Sequence, residues 1–180
     1  MRLYVEKPVA QPVAPANASR ASGFHSGTLD PAWLRSLANK FMSVLSDFYL
    51  AEPQHAKSYD VDQKCPEIDR AQYKGMTPLE LSMLWAITQQ KEWDVAMMDE
   101  FPEILVVDGG QRLTYQVPQA AVERFASLSG PEISTAAAAW SQTEELSCEP
   151  GDVQPVIEEI VRLSKRGLEM NRSLYLWICV

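Results

Sequence analysis

Apolar positions along this chain change their period several times, and each change marks an element. In residues 1–6, Leu3 and Val5 alternate with Tyr4, which predicts a short strand. Over 31–50 the spacing becomes helical. Leu34, Leu37, Phe41, Val44, Leu45 and Phe48 recur every three or four residues, behind Asp30 as N-cap and Pro31 as the first helical residue. Pro53 stops that pattern, and residues 51–75 read as polar and irregular.

Thr77-Pro78-Leu79-Glu80 is a capping box with proline in the first turn. It opens a helix to about Gln90. Leu79, Leu81, Met83, Leu84, Trp85 and Ile87 leave this helix few polar sides, so it is expected to be buried on most of its surface. A second, short helix is predicted over 92–100, with Trp93, Ala96 and Met97 inward and Glu92, Asp99 and Glu100 in solvent. Ile104–Val107 and Arg112–Val117 flank Asp108-Gly109-Gly110-Gln111, a turn sequence that predicts a hairpin over 104–117. Helical spacing returns at 119–128, 131–146 and 151–169, and Asn171 is placed to end the last helix in the left-handed conformation. From Leu174 to Val180 the chain is apolar on both alternating faces, the mark of a central strand covered on both sides.

The expected fold is therefore α+β: five or six helices packed on a small, mainly antiparallel sheet. That sheet includes strand 1–6, the 104–117 hairpin and a buried C-terminal strand 174–180. Residues 1–180 are read as a single domain, in which 8–30, rich in Pro, Ala and Ser, forms a mobile loop or linker. An apolar content of 46% and a charged content of 22% can build a core at this length without a disulfide or a structural metal.

Charge alters the picture more than composition does. Residues 76–160 carry 15 Asp or Glu against Lys91, Arg112 and Arg124, a net of −12, whereas 1–75 carry +1 and 161–180 carry +3. A field of this sign repels nucleic acid and anionic membrane and attracts basic partners. Arg162, Lys165, Arg166 and Arg172 form one basic cluster, at the end of a predicted helix where positive charge complements the dipole. The N-terminus has no signal-peptide pattern and no run is long enough for a membrane helix, so a soluble cytoplasmic location is expected.

Candidate chemistry is sparse. Cys65, Cys148 and Cys179 are widely spaced and form no CxxC pair, and are read as reduced thiols. His25 and His55 both fall in predicted loops, with no partner motif for a nucleophilic triad or a zinc site. No nucleotide-binding glycine motif is present, and Gly109–Gly110 leads into a strand. Catalytic, metal and cofactor sites are accordingly all expected to be absent.

The residues singled out are Glu92, Asp94, Asp99, Glu100, Glu103 and Asp108, as a surface for binding a basic protein partner. The function expected is a non-catalytic protein-binding module, with the size and charge profile of immunity or antitoxin proteins. One alternative is an adaptor or structural subunit tethered through 8–30. Another is a small carboxylate- or metal-dependent hydrolase in which Asp94, Asp99, Glu103 and Asp108 converge in a pocket.

Overall fold

A computed structural model describes residues 44–59 and 69–180. The strand at 1–6, the 8–30 linker and most of the predicted 31–50 helix lie outside the described residues.

Five strands form one antiparallel sheet among these residues: β1 (Leu45–Ala51), β2 (Arg70–Lys74), β3 (Glu103–Val107), β4 (Arg112–Gln116) and β5 (Ser173–Cys179). Their spatial order is β2-β1-β5-β4-β3. Four α-helices accompany them: α1 (Pro78–Thr88), α2 (Gln119–Ala126), α3 (Gly130–Trp140) and α4 (Pro150–Met170). The α+β class stands, with four helices here in place of five or six.

The C-terminal segment takes the place its two apolar faces demand. β5 lies at the centre of the sheet, with Leu176 opposite Phe48 on β1 and opposite Tyr115 on β4. Leu174, Leu176 and Ile178 enter the main core with the helices, while Tyr175 and Trp177 enter a second cluster with Tyr49, Ala51, Ala56 and Tyr59. In an extended chain successive side chains point to opposite faces, so these two clusters lie on the two sides of the sheet.

Residues 45–50 depart from expectation, forming strand rather than the end of a helix. The spacing of Leu45 and Phe48 is compatible with a helix, but it carries no weight here. On the strand the two residues point to opposite faces, Leu45 exposed and Phe48 buried. The segment's other residues are buried on both sides, and such burial leaves no polar helical face to reveal the true period. A second correction concerns 51–75, which is not wholly irregular. Arg70–Lys74 pairs with β1, with Ala71 and Tyr73 packed in the main core. Five alternating residues behind a long polar stretch gave too short a period to register.

The predicted helix at 92–100 is only a 3-10 turn over Val95–Met98, with no buried residue and with Ala96 exposed. Predicted helix 131–146 ends at Trp140. The hairpin forms as expected. Its connection is a left-handed turn at Asp108–Gly110, with positive φ at Asp108, Gly109 and Gly110. Asn171 ends α4 at φ 52°, ψ 44°, as its position in the sequence implies.

Helix α1 is buried over most of its surface, as its largely apolar composition requires, while α4 packs against α2, α3, β1 and β5. The capping box of α1 is complete: Glu80 accepts from the Thr77 backbone N–H, and the Thr77 hydroxyl accepts from Leu79 N–H. Glu80 itself is buried, and the fully buried Trp140 of α3 donates its indole N–H to the Glu80 carbonyl at 3.1 Å. α3 begins with a second capping box, Ser129 to Glu132. The backbone and hydroxyl of Ser129, together with Arg124, hold the Glu132 carboxyl down at about 2, against an ordinary 4.5.

Candidate functional site

The segment that follows α1 is fixed at both ends by aromatic side chains. The chain reverses at Gln90, whose φ is 56°, and Lys91 N–H bonds back to the Ala86 carbonyl. Trp93 then turns toward α1 and donates its indole N–H to Ser82 Oγ at 2.9 Å. Phe101 is buried and meets Trp85 of α1 edge-on, with ring centroids 6.2 Å apart. Between these two anchors the chain has only its one 3-10 turn. Its intervening polar side chains therefore face solvent.

Each of the six selected carboxylates is exposed. They differ in what holds them. Asp94 caps its own turn, accepting from Ala96 N–H at 2.8 Å. Asp108 is bound to Arg112, with Nη2 at 2.7 Å and Nε at 2.9 Å. Glu103 has only a long contact, 3.4 Å, from the Tyr115 hydroxyl. Glu92, Asp99 and Glu100 make no ion pair among the described residues. Val95 lies among them and is 66% exposed. The segment thus presents an apolar side chain within a group of carboxylates, three of which make no ion pair among the described residues.

Of the remaining acids of the 76–160 region, Glu123, Glu144, Glu145, Glu149, Asp152 and Glu158 also make no ion pair among the described residues, and three others serve structural ends. Glu80 and Glu132 are capping carboxylates, and Glu159 binds Arg162 at 2.8 Å. Arg162 and Arg166 also reach Asp69, just before β2, at 3.5 and 3.4 Å. These two members of the basic cluster therefore clamp α4 to the start of β2. The second capping box was visible in the sequence as Ser129-Gly130-Pro131-Glu132 and was missed, as was its demand on Arg124.

Among the described residues, none of the six carboxylates lines either of two clefts, one of about 290 Å³ beside β3 and β4 and another of about 200 Å³ beside the end of α1. No group of three His, Cys, Asp or Glu among the described residues is placed to hold a metal ion. His55 is largely exposed, 3.7 Å from the Glu52 carboxylate. Cys148 and Cys179 are free thiols, and burial together with Asp152 pushes the Cys148 thiol up, away from the reactive thiolate. No helix among the described residues is long and apolar enough to cross a membrane.

A third polar feature, unforeseen in the sequence, lies on the second face of the sheet. Asp47 of β1 is 3% exposed, and it accepts from the Tyr59 hydroxyl at 2.6 Å and from Gln72 Nε2 at 3.2 Å. Burial first, and then the Asp47 carboxylate, push the Tyr59 phenol above its ordinary value of 10, with Arg70 opposing. Tyr59 stacks on Tyr49, centroids 3.9 Å apart, and Tyr49 donates to the Ala56 carbonyl at 2.8 Å. Strand alternation alone gave no reason to expect a carboxylate there.

Comparisons with protein families, with curated proteins and with solved structures found no match.

Proposed function

We propose that this protein is a non-catalytic binding module whose 92–103 segment captures a basic protein partner. One observation carries the reading: Glu92, Asp99 and Glu100 stand exposed and without ion pairs among the described residues, around exposed Val95, on a segment pinned by Trp93 and Phe101. Unneutralised carboxylates on a fixed backbone create a local potential without first having to be ordered or released from a cation. Val95 supplies an apolar contact at the middle of the group. Glu103 extends the surface. Asp94 and Asp108 contribute less, because one caps its own turn and the other is bound to Arg112.

The experiment is a comparative capture from the native cell, using the full chain and its E92Q/D99N/E100Q/E103Q variant. The reading expects a basic protein that the parent chain retains at low salt and releases as salt rises, and that the variant fails to retain. Recovery of the same proteins by both baits would remove this surface from the account.

A further inference from the structure

The cleft of about 290 Å³ beside β3 and β4 has a wall of a different kind from the rest of this acidic chain. Its apolar side is made by Leu105 and Val107 of β3 and by Trp177 of β5. The register explains their meeting: Leu105 lies opposite Thr114, and Thr114 lies opposite Trp177, so all three project from one face of neighbouring strands. The loop at 57–59 closes the other side, contributing Lys57, Ser58 and the ring of Tyr59.

The polar groups of this wall are hydroxyls and cations, and no carboxylate is among the described residues that line it. Lys57 is exposed and makes no ion pair among the described residues. Arg112 also lines the cleft and is engaged by Asp108. Thr114 is fully buried at the base. Its hydroxyl lies beside the Tyr49 phenol, yet makes no hydrogen bond of ordinary distance and angle.

We infer that this cleft binds a small organic anion, its charged group held by Lys57 and its planar apolar body packed against Trp177 between Leu105 and Val107. The volume suits a metabolite-sized molecule better than a peptide. A carboxylate or a phosphate group meets the same requirements: an acceptor for Lys57 and for the hydroxyl of Ser58. The inference is independent of the 92–103 surface, since none of those carboxylates lines the cleft.

The test is a titration of the full chain with phenyl phosphate and with benzoate, followed by NMR through the indole N–H of Trp177, assigned with Trp177→Phe. Benzylamine is the cationic control. Saturable shifts are expected with at least one of the two anions and not with benzylamine, and the tighter anion identifies the headgroup. Lys57→Gln, on an exposed side chain, should weaken that binding by about fivefold or more. Absence of saturation with both anions, equal shifts from benzylamine, or unchanged affinity in Lys57→Gln would each overturn the inference.

Discussion

At the scale of single residues, the most exacting demand in this molecule is the carboxylate of Asp47. A charge excluded from water is tolerated only where donors replace the lost solvent. Tyr59 and Gln72 are those donors, and Tyr59 makes the shorter bond, at 2.6 Å. Tyr59→Phe should therefore destabilise the fold by about 2–3 kcal/mol, more than the loss of an ordinary hydrogen bond. Urea unfolding of the two proteins measures this. A difference below about 0.5 kcal/mol would mean that the carboxylate does not depend on Tyr59. This pairing was illegible in the sequence, because Asp47 sits in LSDFYLA and nothing local distinguishes a buried aspartate from a solvent-facing one. By contrast, the cap at Thr77 and the left-handed Asn171 were legible. Both depend on backbone groups within a few residues, where sequence spacing and spatial distance coincide.

At the scale of elements, α4 shows why close approach matters as much as propensity. Gly167 lies in its last turns and is buried against β1 and the chain leading to β5. A Cβ there would stand 2.9 Å from the Arg172 carbonyl oxygen and 3.1 Å from Leu50 Cδ2. Glycine in a helix normally costs about 1 kcal/mol relative to alanine. Here Gly167→Ala should instead lower stability, by about 1–3 kcal/mol, because a backbone oxygen and a core leucine must shift. Stabilisation on chemical unfolding would contradict this packing.

The capping box of α3 makes a second prediction at this scale. Glu132 has a folded pKa of about 2 against 4.5 ordinarily, so its contribution is fully present above pH 4.5 and is lost as pH falls toward 2. Glu132→Gln removes that titration. Between about pH 5 and pH 2.5 the parent protein should lose more of its urea midpoint than the variant does; parallel losses would count against the cap. Elements were recognised where one face repeats over ten or more residues, as in α4, or where a capping box opens an apolar run, as in α1. β1 and β2 were lost because burial on both faces, or brevity, erases the period. The turn at 95–98 was overread because Trp93 and Met97 have helical spacing but are only half-buried.

At the scale of the whole molecule, the acidity of the middle region separates into parts that composition could not distinguish. Glu80 and Glu132 cap helices, Glu159 and Asp108 bind arginines, and Glu92, Asp99 and Glu100 make no ion pair among the described residues. The net charge was legible in the sequence, but which carboxylates are engaged depends on contacts such as Arg112 with Asp108 across the hairpin turn. The candidate surface is therefore narrower than the six residues first selected. The cleft beside β3 and β4 was not legible at all, since it joins Lys57, Leu105, Thr114 and Trp177 from four separated stretches of chain.

The central claim concerns the exposed carboxylates of the 92–103 segment, and the association rate of the captured basic partner tests it most directly. Stopped-flow mixing at about 20 and 200 mM salt should show a steep fall with salt for the parent chain, since exposed charges are screened over about 10 Å. D99N/E100Q/E103Q should associate about tenfold more slowly at the lower salt, with a flattened dependence, while Asp108→Asn should stay close to the parent. Equal rates and equal salt slopes for the triple variant and the parent would contradict the account.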